Sequence, residues 1–145
     1  MAGKHRRTLR GTVLAQDSVK QLIVDDGRLT HGYRVLRFVI LSTNPGASTA
    51  DSVGTLALSE GGARLWTLSD NRQIGWAGQT MTGSSSPAAE MSLIDPEHIV
   101  IQDLWVWGTG TTAHPGYQYF VELEAIDLTE EQTIVTMIKE RTQDV

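Results

Sequence analysis

The side chains of this sequence that could do chemistry are few, and their spacing does not assemble them. Four histidines stand at His5, His31, His98 and His114, no two at ligand-pair spacing on one element. A histidine metal centre needs three or four converging ligands, so no metal is expected. Cysteine is absent, which removes thiolate zinc sites, disulfide scaffolds and cysteine nucleophiles together. Asp95-Pro96-Glu97-His98 suggests an acid–histidine couple, but a turn entering a strand explains the same residues. Asp25 with Asp26, and Glu130 with Glu131, are neighbouring carboxylates. Acid–base work needs such a pair held at a set separation in a cleft, whereas these sit where a turn and a helix start already favour acids. Gly108-Thr109-Gly110-Thr111-Thr112 has the glycine content of a phosphate loop but neither its lysine nor a following helix start. No Gly-x-Ser-x-Gly elbow occurs. The expectation is a protein that is not an enzyme, with no catalytic residues, metal or cofactor.

Two groups of residues remain as candidates for binding. Trp105 and Trp107 alternate on one predicted strand, with Tyr117 and Tyr119 on the next. Such an aromatic strip can stack on sugars or bases, form a core, or anchor a subunit interface. The other group is basic. Lys4, Arg6, Arg7 and Arg10 give Met1–Gln16 a formal charge of +4 with no acid, against −5 for the whole chain. A basic arm on an acidic body can reach toward nucleic acid or an acidic partner. A solvated terminus is the plainer reading. The acidic remainder argues against a nucleic-acid face there, which would cluster Lys and Arg. The chain therefore divides into a basic arm, residues 1–11, and a single β-rich domain, residues 12–145.

The elements that must position these groups are mostly strands. Length, at 145 residues, and composition, at 40% hydrophobic and 20% charged, suit one globular domain. The longest strongly apolar run, Val35–Leu41, contains Arg37 and falls far short of the ~20 residues that span a bilayer. Basic Lys4–Arg10 leads into no sustained apolar stretch, unlike a secretory signal. No membrane partner is expected. Short strands are predicted at Thr12–Ala15 and Gln21–Val24, the second closed by a hairpin turn at Asp25-Asp26-Gly27. Arg34–Thr43 is the clearest strand, with Leu36, Phe38 and Ile40 on one face and Val35, Val39 and Leu41 on the other, ended by Asn44-Pro45-Gly46. Gly54–Leu58 and Arg64–Leu68 flank Ser59-Glu60-Gly61-Gly62 in a hairpin pattern. Gln73–Thr82 is a strand burying Trp76, and Gly83–Ala89 an exposed loop. His98–Trp107 is apolar on both faces, with Ile99, Ile101, Trp105 and Trp107 on one and Val100, Leu104 and Val106 on the other. Tyr117–Ile126 alternates cleanly, Tyr117, Tyr119, Val121 and Leu123 inward, Glu122 and Glu124 outward. Thr129-Glu130-Glu131-Gln132 has the capping-box pattern and opens a predicted helix from Glu130 to Glu140, preferred to a strand. Its Ile134 and Ile138 are expected to pack on the sheet or on a neighbouring subunit. The predicted fold is mainly β, a β-sandwich or jelly-roll-like single domain with a short C-terminal helix.

Several stretches together carry a family resemblance: Tyr33-Arg34-Val35-Leu36-Arg37-Phe38, Gly54-Thr55-Leu56-Ala57-Leu58-Ser59, Asp70-Asn71-Arg72-Gln73-Ile74-Gly75-Trp76, Ile94-Asp95-Pro96-Glu97-His98-Ile99-Val100 and Ile138-Lys139-Glu140-Arg141-Thr142-Gln143-Asp144. The chain after Thr30 resembles small β-rich structural proteins of marine bacteriophages. That resemblance implies a virion subunit, of the capsid, minor capsid or decoration type, assembled in the host cytoplasm through self-association and contacts with other virion proteins. It transfers no functional residues. Strands apolar on both faces fit such a subunit, because neighbours can cover the second face. The alternative is a carbohydrate- or ligand-binding β-sandwich that uses the Trp105 and Trp107 face.

Overall fold

The computed structural model describes residues 6–15, 17–24, 31–44, 51–63, 65–82, 86–111, 114–129, 131, 132, 134–136 and 138. Among the described residues nine strands form two antiparallel sheets: β1 (Arg6–Val13), β2 (Ser18–Leu22), β3 (His31–Leu41), β4 (Ser52–Ala57), β5 (Gln73–Thr82), β6 (Ser86–Ile94), β7 (Ile99–Val100), β8 (Leu104–Gly110) and β9 (Tyr117–Asp127). One sheet has the order β1-β9-β3-β7 and the other β2-β8-β4-β5-β6. Only the β4–β5 and β5–β6 connections stay within one sheet; every other connection crosses between the two. Set β6 aside, and the two four-stranded orders are those of a jelly roll, in which two Greek keys interleave. The predicted fold class holds, with β6 added at one edge.

The inner faces meet in one core. Tyr33, Val35, Phe38, Ile40, Tyr117, Tyr119, Val121 and Leu123 come from the first sheet. Leu22, Leu56, Ile74, Ala77, Leu104 and Val106 come from the second. Close approach requires small residues opposite the large ones. A Cβ on Gly54 would lie 2.6 Å from Ile40 Cγ1, and one on Gly108 would enter the Tyr117 ring. Gly54 and Gly108 are register partners, so together they form the recess that accepts those side chains. Tyr117 is fully buried, and its hydroxyl lies 3.0 Å from the Ser18 carbonyl, to which it donates.

Several expectations are revised. Residues 6–11, read as part of a free arm, belong to β1, paired with β9 from Arg6↔Glu124 to Val13↔Tyr117. Alternation explains it: Leu9 and Val13 pack on the core while Arg6, Thr8, Arg10 and Thr12 face outward. The Asp25-Asp26-Gly27 turn lies outside the described residues, and the strands flanking it are not a hairpin, because β2 and β3 belong to opposite sheets. Of the strand expected at Arg64–Leu68, Arg64 lies outside the described residues and residues 65–68 form no strand; the partner of β4 is β5. Ser86–Ala89, expected in a loop, opens β6. His98–Trp107 is not continuous: β7 pairs with β3 and β8 with β2 and β4, so the chain changes sheets at residues 101–103. In β3 a bulge between Val35 and Arg37 turns Leu36 outward, bringing both Val35 and Phe38 into the core. The C-terminal residues 131, 132, 134–136 and 138 are helical. The capping box is formed, with Gln132 N donating to Thr129 Oγ1 at 3.1 Å and Thr129 N to Gln132 Oε1 at 2.9 Å. Yet Ile134 and Ile138 are exposed and not packed on the sheet.

Candidate functional site

The outer faces of the two sheets hold the residues with binding potential. On the second sheet, register sets Val19, Trp107, Thr55, Trp76 and Leu93 in one row across β2, β8, β4, β5 and β6. Trp107 is only 5% exposed, packed with Ala57, Ala63, Val19, Val53 and Trp105 in a second, smaller core. The cover is the long β4–β5 connection, which begins with a short 3-10 turn at Glu60–Gly62. Gln73 anchors it. Its side-chain amide donates to the carbonyls of Gly62 and Leu65, and its Oε1 accepts from Thr67 N and Trp76 Nε1. All four bonding positions of a buried amide are thereby filled. Asp70 takes Arg72 in a forked pair, Oδ1 accepting Nε at 3.0 Å and Oδ2 accepting Nη2 at 2.9 Å. The side-chain bond from Arg72 holds the Asp70 carboxyl below the usual carboxylate range, with burial acting in the opposite direction.

This connection displays apolar side chains to solvent. Trp66 donates from Nε1 to the Gly54 carbonyl at 2.8 Å, and its ring lies against Gly78, whose partner on β6 is Met91. Leu65 and Leu68 are each 69% exposed, and Trp66, Met91 and Leu93 between 41% and 48%. An indole pinned at its nitrogen presents a fixed apolar surface.

The expected aromatic strip does not form. Tyr117 and Tyr119 lie in the main core, while Trp105 and Trp107 face away from it on the other sheet. Neighbouring strands in sequence are not neighbours in a sheet here, since β8 and β9 belong to different sheets. Trp105 opens on a surface cleft of about 340 Å³ with Leu58, Gln102 and Asp103, and Tyr119 touches a different one on the first sheet. Gln21 Nε2 donates to Asp103 Oδ2 at its margin. Burial pushes the Tyr117 hydroxyl up to about 12 and raises that of Tyr119.

On the first sheet, the outer face is built from β1, β9 and β3 in register. Arg6, Glu124 and Arg34 form one row, Thr8, Glu122 and Arg37 the next, then Arg10, Phe120 and Val39, then Thr12, Gln118 and Leu41. Arg6 Nη1 lies 3.7 Å from Glu122 Oε1. Arg37 stands 5.9 Å over the Phe120 ring. A cleft of about 330 Å³ opens beside it, lined by Arg10, Thr12, Val39, Leu41, Gln118 and Phe120. Of the basic residues singled out in the sequence, Arg6 and Arg10 lie on this face. Arg7 points the other way and donates to the Val24 and Ile23 carbonyls. Lys4 lies outside the described residues. Phe120 and Arg37 carried no signal in a one-strand reading, because only the pairing of β9 between β1 and β3 brings them to Arg10.

The histidines stay apart. His98 Nε2 is 3.3 Å from Asp95 Oδ2, while Asp95 Oδ1 accepts from Glu97 N and Asp95 N donates to the Ile74 carbonyl. The turn expected there is what those bonds describe. His31 Nε2 is 3.7 Å from Asp127 Oδ1. Among the described residues no three His, Asp or Glu side chains are grouped to hold a metal ion. No helix among them is long and apolar enough to cross a membrane. No protein-family model matches the chain, and no curated protein matches it.

Proposed function

We propose that the chain is a structural subunit of a bacteriophage particle, a capsid, minor capsid or decoration protein that acts by assembly. One observation carries the reading: the rigidly mounted apolar surface on the second sheet, where Leu65, Trp66, Leu68, Met91 and Leu93 are all exposed. Trp66 sits against Gly78 with Met91 and Leu93 on the adjoining strand, and exposed apolar groups gathered in this way mark interaction sites more often than they are left bare. The jelly-roll-like strand order supports the reading at the level of fold, because viral capsid domains use it, as do lectins. The phage origin rests on the sequence resemblance. Partners are then further copies of the chain and other virion proteins, and its place is the virion. Mass spectrometry of purified particles, with a copy count relative to the major coat protein, tests this. A whole-number stoichiometry supports the proposal, and absence from particles overturns it.

A second reading has its own observation. Trp105 lines a cleft with Gln102 and Asp103, and an aromatic ring beside planar polar groups is the composition of a sugar subsite. In that case the chain binds a soluble glycan and Trp105→Ala abolishes binding on a glycan array. Trp107→Ala would only destabilise the fold, because that ring is already covered.

A further inference from the structure

The cleft on the outer face of the first sheet has a charge distribution of its own. Among the described residues four arginines, Arg6, Arg10, Arg34 and Arg37, and two glutamates, Glu122 and Glu124, lie on this face. Glu124 lies between Arg6 and Arg34 in register, and Glu122 between Thr8 and Arg37, with its carboxylate 3.7 Å from the Arg6 guanidinium. Arg10 is the register partner of Phe120, and Arg37, one row back beside Glu122, reaches over the Phe120 ring from the rim of the cleft; among the described residues neither arginine forms an ion pair. The floor there is Val39, Leu41 and Phe120, with the amide of Gln118 and the hydroxyl of Thr12 at the rim. A mostly apolar cleft of about 330 Å³ with a few polar groups has the size and composition of a small-ligand site.

The chemistry narrows the ligand. An exposed arginine on each side of an aromatic ring calls for anionic groups flanking a flat ring. The guanidinium forks favour phosphate or carboxylate oxygens, and Arg37 already lies over the Phe120 ring. Gln118 Nε2 already donates one hydrogen to the Ser42 carbonyl at 2.9 Å, which fixes the amide and leaves its oxygen and second hydrogen for the edge of a heterocycle. A nucleotide unit meets all three demands. The geometry points to a nucleotide-binding site on this face, holding one base of a single strand on Phe120 once Arg37 swings from over the ring to a neighbouring phosphate, with Arg10 on the other phosphate. Aromatic stacking on an open β-sheet flanked by basic residues is a general solution for single strands. The net negative charge of the whole chain limits the contact to a short stretch, since a long polyanion would meet repulsion beyond these two arginines. This site is independent of the assembly surface, which lies on the opposite sheet.

Fluorescence anisotropy of labelled decathymidylate at ~50 mM salt tests it, with thymidine monophosphate, a duplex and heparin as competitors. Expected is competition by the monophosphate and weak competition by duplex. Heparin has charge without bases and should compete poorly. Phe120→Leu, which keeps the apolar floor, should weaken strand binding roughly 5- to 100-fold, the range expected for losing one stacked base. Arg10→Gln and Arg37→Gln should each lower the slope of log affinity against log salt by about 0.7. Phe120 is half-buried, so unchanged circular dichroism in each variant is the control. Binding of the monophosphate in calorimetry with no binding of the labelled strand would assign the site to free nucleotides and overturn the single-strand assignment. No binding of strand or monophosphate overturns the proposal. So does strand binding that heparin displaces equally well and Phe120→Leu leaves unchanged.

Discussion

Gln73 and Tyr117 show how single polar groups organise this fold, and each supports a prediction. Replacing Gln73 by Leu leaves the Trp76 indole and the Thr67 amide without an acceptor and the Gly62 and Leu65 carbonyls without a donor. Stranding buried polar groups costs about 1–3 kcal/mol for each that water cannot reach. Gln73→Leu should therefore lower unfolding free energy by roughly 3 kcal/mol in urea titration and increase proteolytic cleavage between Ala63 and Asp70. The sequence hid this hub, because Leu65, Trp66 and Leu68 imitate a strand while the group that holds them lies on β5. Tyr117 was legible as an inward residue from alternation alone; its pairing with glycine was not. Its hydroxyl, raised to about 12 by burial, links stability to pH. Between the ordinary tyrosine value near 10 and 12, the unfolded chain loses the proton while the folded chain keeps it. Stability must then fall as pH rises through that window, by on the order of 2 kcal/mol. Tyr117→Phe should flatten this decline, leaving the smaller part due to Tyr119. It should cost about 1 kcal/mol at neutral pH for the bond to Ser18. Urea midpoints measured at intervals from neutral to alkaline pH check both statements.

At the scale of elements, strand existence was readable and strand pairing was not. β9 stands where its periodicity puts it, because it keeps strict alternation over most of its length. β5 was placed despite the irregularities that bring both Ile74 and Ala77 into the core. β3 also breaks alternation. Tyr33 and Val35 point inward, then Phe38 and Ile40, a spacing that only an inserted residue permits. The signal was present in Arg34 and Arg37, since strict alternation would have driven Arg37 into the core beside Val35. The His98–Trp107 segment misled for another reason: both sheets accept apolar residues on both faces there, so a change of sheet leaves no polar mark. The C-terminal helix was legible through its cap, a local pattern that needs no tertiary information. Its packing was not. Ile134 and Ile138 are more than half exposed, and the helix meets the sandwich through a shallow groove at Ile99, Leu128 and Val135. Ile138→Asp should then change global stability by no more than about 0.5 kcal/mol, as for other exposed positions. Thr129→Ala should remove the cap and reduce local helicity, with about 1 kcal/mol lost from the helix alone. Amide exchange resolved by residue separates the two effects: the helix should open faster while β3 and β9 keep their protection.

For the whole molecule, the decisive quantity is what covers the second sheet. A solitary sandwich gains nothing from presenting Leu65, Leu68 and Leu93 to water, and a subunit gains an interface. If these side chains meet a second copy, charges placed there must weaken association without touching the fold. Leu68→Glu and Leu93→Glu are suited to this, since neither side chain belongs to either buried cluster. Each alone should shift the monomer's urea midpoint little. Together they should convert a sedimenting oligomer to monomer, because an unpaired carboxylate in a closed apolar contact costs several kcal/mol. The same pair leaves the Arg10, Phe120 and Arg37 face intact, so nucleotide binding by the double variant should match the parent. Raising salt discriminates further. Contact through this surface should hold or strengthen in sulfate, as burial of apolar area does. Contact through the arginine face should weaken steadily. A parent chain that sediments as a monomer at all concentrations, with the double variant indistinguishable from it, would leave the apolar surface without self-association to explain it and remove the main support for assembly.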